Sequence, residues 1–129
     1  MIGSFGNIVF ETSGSKIFTF NEFKRKGSAR FAEHAVLEGK PRLQHIGPNL
    51  DVITFNVRLD MSLGVTPADE MAAFREVLES GDEQKLIIGG TVLGNFVLET
   101  LDEERKVTTN KGKLVLADLN LTIKEFVDE

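Results

Sequence analysis

The sequence predicts a mainly β, α+β domain in which one helix lies against a sheet. Three observations carry this. Apolar and polar side chains alternate across residues 51–60 and again across 115–124, the two-residue period of a half-buried strand. Clusters of Gly, Pro, Ser and Asn punctuate the remaining chain at short intervals. Helical spacing stands out only at about residues 67–80. The 129 residues suit a single domain, 1–129, with one core.

In chain order, strands are expected at Asn7–Glu11 and Lys16–Phe20, separated by the turn Ser13-Gly14-Ser15. Asn21–Lys26 is short and charged and reads as a loop or a single helical turn. Further strands are expected at Ala29–Glu38 and Arg42–Ile46, with turns at Gly39-Lys40-Pro41 and Gly47-Pro48-Asn49. In the 51–60 strand, Ile53, Phe55, Val57 and Leu59 form the apolar face and Thr54, Asn56, Arg58 and Asp60 the polar one. Thr66-Pro67-Ala68-Asp69 then supplies an N-cap, a proline at the first helical position and an acid three residues after the cap. Met71, Phe74, Val77 and Leu78 make the helix's apolar stripe, and Gly81 stops it. Lys85–Ile88, Val92–Leu101 and Glu104–Thr108 follow as strands, with a turn at Gly89-Gly90. Asn110-Lys111-Gly112 sits between two strand-like runs, which predicts a hairpin joining about 99–108 to 113–126. In the last strand Val115, Ala117, Leu119, Leu121 and Ile123 share one face, and Asp118, Asn120, Thr122 and Lys124 the other.

Composition narrows the function classes. The chain is 41% hydrophobic and 27% charged, a globular profile, and no apolar run reaches the ~18 residues a membrane-spanning helix needs. The first residues have neither the basic end nor the apolar centre of a secretory signal, so a soluble intracellular protein is expected. Cysteine is absent, which excludes disulfides, thiol nucleophiles and cysteine-ligated metals. A net charge of −5 disfavours general nucleic-acid binding. All ten aromatics are Phe, so the Tyr and Trp that ligand-stacking sites favour are missing.

No catalytic, cofactor-binding or metal-ligating constellation emerges. His34 and His45 match no zinc spacing and read as strand histidines with hydrogen-bond partners. No serine lies in a Gly-x-Ser-x-Gly elbow. Gly89-Gly90-Thr91-Val92-Leu93-Gly94 fits neither phosphate-binding glycine template and precedes a strand rather than a helix, so a turn or bulge is expected. Lys24-Arg25-Lys26 lacks interleaved aromatics and reads as a solvated loop. Asp102-Glu103-Glu104-Arg105-Lys106 reads as turn surface or as an ion-pair strip between subunits. Asn120-Leu121-Thr122 matches the glycosylation triplet inside a strand, without functional weight.

Surplus apolar surface is the more informative signal. Val92, Phe96 and Leu98 fall on one face of their strand while Leu93, Val97 and Leu101 fall on the other. Leu114 and Leu116 sit on the otherwise polar face of the last strand. Either the helix covers them or they form a patch that needs a partner. Leu93, Val97, Leu101, Leu114 and Leu116, with Lys24, Arg25, Lys26, Arg105 and Lys106, are therefore candidate subunit-interface residues.

The order of segments resembles the phage tail protein U family (GpU-like). The likeness runs from Met1-Ile2-Gly3-Ser4-Phe5-Gly6-Asn7-Ile8-Val9-Phe10 through Phe23-Lys24-Arg25 and Gly27-Ser28-Ala29-Arg30-Phe31. It continues in Gly39-Lys40-Pro41-Arg42-Leu43, Ile46-Gly47-Pro48 and Leu59-Asp60-Met61-Ser62-Leu63-Gly64-Val65. It closes with Leu78-Glu79-Ser80-Gly81, Ile88-Gly89-Gly90, Leu93-Gly94 and Leu121-Thr122-Ile123-Lys124-Glu125-Phe126, covering essentially the whole chain. Phe31 and Phe96 stand where many relatives carry Trp.

The resemblance implies a non-enzymatic, cofactor-free structural component of a contractile phage tail or tail-like injection particle. It implies two packed antiparallel sheets, a tail-tube-like sandwich or barrel, with one flanking helix. Six subunits would form a ring around a lumen at the junction of baseplate hub and tube, or alternatively at the head-proximal end as a terminator. The implied partners are further copies of the chain, tail tube, baseplate hub, tape-measure and peptidoglycan-binding tail proteins, with DNA only as passing cargo and no membrane. The implied location is the host bacterial cytoplasm during assembly and then the particle's tail. Thr54, Asn56, Arg58 and Asp60, with Asp118, Asn120, Thr122 and Lys124, are candidate residues that line or border the lumen, and the net acidic subunit would discourage DNA from sticking to such a wall. The first ten residues are either a strand of the domain or an arm to a neighbour. Two rivals make different demands: a β-barrel ligand- or peptide-binding module needs an enclosed pocket, and a metal-free hydrolase needs His34 or His45 in a cleft beside Ser or carboxylate.

Overall fold

The computed structural model describes residues 2–13 and 17–127. Among the described residues, ten strands, one α-helix and a short 3-10 turn at Met61–Leu63 follow the chain: β1 Gly3–Phe5, β2 Ile8–Thr12, β3 Ile17–Phe18, β4 Phe20–Lys26, β5 Ala29–His34, β6 Arg42–Pro48, β7 Val52–Asp60, α1 Pro67–Ser80, β8 Gln84–Ile88, β9 Thr91–Thr108 and β10 Leu114–Glu125. They form two antiparallel sheets of unequal size. One has eight strands in the order β3-β2-β1-β8-β9-β10-β7-β4, and the other is the β5–β6 hairpin alone. The expected mainly β domain with one helix is what the chain forms.

The two ends of the large sheet, β3 and β4, are consecutive in sequence and separated only by Thr19. The run from Ile17 to Lys26 therefore pairs first with β2 and then with β7, which curls the sheet back on itself. Phenylalanine rings fill this seam. Phe10 meets Phe18, Phe20 and Phe55 edge-on, at centroid separations of 5.3, 5.5 and 6.2 Å. Around them Ile53, Val57 and Leu59 of β7 and Ala117, Leu119, Leu121 and Ile123 of β10 are buried, as their alternation predicts.

The helix begins with Pro67 and ends at Gly81, whose φ of +69° gives it the left-handed stop that glycine provides best. Thr66 does not cap it with its side chain; instead the Thr66 carbonyl accepts from the Glu70 N–H. Met71 and Phe74 are buried, with Val77 and Leu78 packed at the edge of the core, and Phe74 meets Phe18 edge-on at 6.4 Å.

Several elements depart from expectation. Asn21–Lys26 belongs to a strand, β4, because β7 offers it a paired edge. The ladder passes from Asn21↔Asn56 to Lys24↔Thr54 across a bulge where Glu22 adopts φ +55°. Val92–Leu101 and Glu104–Thr108 are one continuous strand, paired along β10. β1 lies between β2 and β8, so residues 3–5 are a strand of the domain, not a projecting arm. The β8–β9 turn is Gly89-Gly90, with φ of +59° and +82°, the twist a two-residue hairpin favours. The β9–β10 hairpin forms as expected around Thr109–Lys113. Of the expected turn at residues 13–15 and the strand start at Lys16, positions 14–16 lie outside the described residues.

Candidate functional site

The polar rows of β7 and β10 form one face. Their register places Arg58 beside Asp118, Asn56 beside Asn120 and Thr54 beside Thr122. This joins the candidate lumen residues into a single continuous surface, with Asp60 and Lys124 at its ends, paired to Leu116 and Val52. Neighbouring strands extend it, because Asp118 also pairs with Glu104 and Asn120 with Asp102 on β9. A shallow depression of about 500 Å³ runs across this face, lined by Asn21, Glu22, Asn56, Arg58, Asp118 and Asn120 among others.

Its electrostatics centre on Asp118. Arg58 grips that carboxylate with Nε at 2.9 Å and Nη2 at 3.2 Å, a two-pronged pair, and Lys106 Nζ stands 3.4 Å away. The Arg58 hydrogen bond holds the Asp118 carboxyl below its ordinary pKa; partial burial opposes this and Lys106 adds to it. The same bond raises the Arg58 guanidinium. Asn56 donates to the Glu22 carboxylate, fixing the β4 bulge to the face. Asp118 thus meets cations from both adjacent strands, and the face is charge-balanced: Glu22, Asp60, Asp102, Glu104 and Asp118 against Arg58, Lys106, Lys124 and the β4 residues Lys24 and Lys26, which pair with Thr54 and Val52.

The candidate interface residues scatter. Leu93 and Leu101 are half-buried and pack against the core. The ladder shifts register between Leu98 and Thr100, so Leu98 and Leu101 pair with Ile123 and Leu121 and both turn inward, correcting their assignment to opposite faces. Val97 and Leu116 are half-buried. Leu114 is a further correction. Register shifts on either side of Leu116 turn it into the core, where it is 5% exposed and too deep to serve as interface surface. Arg25 is tied within the chain, with an ion pair to Asp51 at 2.8 Å and its guanidinium 5.7 Å over the Phe96 ring. Lys24 and Lys26 flank it on the exposed β4 strand. Arg105 reaches Met71 Sδ at 4.0 Å, under the helix, and Lys106 joins the polar face.

Exposed apolar side chains gather on the β5–β6 hairpin, where Phe31, Leu43 and Ile46 are 52, 68 and 57% exposed, while others such as Val92, Val107 and Val127 stand elsewhere on the surface. Sequence reasoning missed this because alternation marks a strand without saying whether anything covers it. Both histidines are on this hairpin. His34 Nε2 lies 2.7 Å from Gln44 Oε1, and the His45 ring meets Phe31 edge-on at 5.2 Å. Among the described residues, no group of three or more His, Asp or Glu side chains is placed to hold a metal ion, and no helix is long and apolar enough to cross a membrane.

The family model described as Phage P2 GpU matches residues 6–128. Among solved structures, a chain in the virion of a native gene transfer agent particle is similar, at 12% identity and a TM-score of 0.50, over 92% of this chain and 96% of that one. A chain in the C6-symmetric tail of an empty gene transfer agent particle is similar at 15% identity and a TM-score of 0.49, over 84% of this chain and 78% of that one. No curated protein matches the chain.

Proposed function

The chain belongs to the Phage P2 GpU family, and from that premise we propose a ring-forming protein coaxial with a tail tube, six copies to a ring, at the junction of tube and baseplate hub. At the coarser level it is a structural component of a phage tail or tail-like particle. The family match over residues 6–128 carries the reading. Two physical features support it. The polar face of β4, β7, β10 and β9 is a broad, ion-paired surface without excess positive charge on a chain of net charge −5, suited to line a passage through which DNA slides without sticking. The exposed apolar hairpin is surface of the kind that soluble chains keep for a partner.

The role is scaffolding rather than catalysis. The interior a ligand-binding barrel would leave open is packed with Phe5, Phe10, Phe18, Phe55 and Phe74, and the two histidines sit on exposed strands with Gln44 and Phe31 for neighbours. Assembly takes place in the host cytoplasm on this reading, with tape-measure and peptidoglycan-binding tail proteins as further partners. Electron microscopy of particles carrying a tagged copy tests the placement. Density at the hub end supports it, density at the head-proximal end makes the protein a terminator, and absence from the particle contradicts both.

A further inference from the structure

We propose that the β5–β6 hairpin is an intersubunit arm that docks in the neighbouring copy's cleft between α1 and the β1–β2 turn, an inference that rests on the ring reading. The first observation is the hairpin's isolation. Among the described residues, β5 and β6 pair only with each other, and neither makes a sizeable contact with any other element. A two-stranded sheet by itself is marginal in water and needs a surface to lie on. Its faces are unlike. The register sets Phe31 opposite His45 and Glu33 opposite Leu43 on one, and Ala32 opposite Gln44 and His34 opposite Arg42 on the other. The first face therefore presents Phe31 and Leu43, both more than half exposed, beside a polar face carrying Arg42.

The second observation is a complementary recess. A cleft of about 270 Å³ beside the helix is lined by Ile8, Ala73 and Val77 and by the carboxylates of Glu76 and Asp82. No basic residue stands in the last helical turn, although a helix C-terminus favours cations, and Glu79 and Glu83 add further acid nearby. The hairpin supplies the opposite charge. Residues 29–48 hold Arg30, Lys40 and Arg42 against Glu33 and Glu38, a net +1, which leaves −6 on the rest of a −5 chain. Charge complementarity and an apolar floor thus point to a second copy of this chain as the occupant.

The third observation is placement. The hairpin springs from the end of β4 and the start of β7. The pairs Lys26↔Val52, Val52↔Lys124, Lys124↔Val97 and Phe96↔Gln84 carry that same end of the sheet round to Gln84, which lines the cleft. Arm and cleft are different surfaces, so each copy can give its arm to one neighbour and its cleft to another, the head-to-tail use that closes into a ring, whereas a reciprocal exchange would stop at a pair.

The chain has no cysteine, so two introduced ones report the contact directly. The full-length double variant Leu43→Cys/Ala73→Cys is oxidised and its products resolved by denaturing gel, with circular dichroism confirming the fold. The expected result is a covalent ladder up to the complete ring that neither single variant gives. Rings that light scattering detects but that show no ladder overturn the arm and leave the ring reading standing. A covalent dimer from Leu43→Cys alone, meaning arm against arm, overturns the proposed cleft. A chain that stays monomeric and uncrosslinked overturns arm and ring together.

Discussion

Excising residues 29–48 and joining Ser28 to Asn49 through two glycines separates the hairpin's two conceivable roles, in folding and in assembly. The geometry permits it, because Asn49 N donates to the Ser28 carbonyl at 2.9 Å and the hairpin's ends already touch. None of the buried core side chains falls between 29 and 48, so the excision removes almost no apolar burial from the single chain. Replacing a 20-residue excursion by two residues lowers the closure cost by roughly (3/2)RT ln 10, about 2 kcal/mol, at its upper bound. The variant's urea and thermal unfolding, followed by circular dichroism at concentrations where the parent is monomeric, should match the parent or gain up to about 8 °C in Tm. Light scattering at high concentration should find rings for the parent and none for the variant. A loss of more than about 2 kcal/mol in the dilute chain would mean that the hairpin packs on the body, and the reasoning from its isolation would fall.

Phe10→Ala should cost about 3–5 kcal/mol in urea unfolding, because it empties the seam that Phe18, Phe20 and Phe55 share; a cost below about 1 kcal/mol would show that the sheet does not close there. Asp118→Asn leaves Arg58 and Lys106 without their carboxylate and should lower Tm at pH 7. Since the folded Asp118 pKa is depressed, its contribution is present above the unfolded value of about 3.9 and lost as pH falls through the lower folded value. Parent and variant Tm should therefore draw together as pH falls below the unfolded value, and a difference that does not shrink with acid would contradict the ion-pair account. Glu79→Lys should raise the dilute chain's stability by about 0.3–1 kcal/mol, by placing a cation in the last helical turn, while weakening ring formation in light scattering; tighter rings would count against an acidic docking cleft.

Where local pattern and tertiary burial coincide, the fold was legible in the residues. Ile53 to Leu59 and Ala117 to Ile123 alternate because each strand has one face in the core and one in water. Pro67 and Gly81 bracket α1 through backbone constraints that act within a turn or two. The polar rows of β7 and β10 were legible as rows, but only the ladder shows that they adjoin, Arg58 beside Asp118. Legibility failed where a neighbour decides. Asn21–Lys26 has a loop's composition and becomes a strand because β7 supplies its hydrogen bonds. Leu114 and Leu101 change face at register shifts, which alternation cannot foresee. Phe31, Leu43 and Ile46 look like ordinary strand residues, and the strand pattern cannot show that no layer among the described residues covers them.

The mass of the purified full-length chain across a concentration series, read by light scattering with microscopy of the same sample, bears most directly on a head-to-tail ring. Six copies of 14.3 kDa give a closed particle of about 86 kDa, which should appear with a central opening and without larger open polymers. A two-fold dimer, or a chain that holds the single-copy mass at every concentration, would contradict it.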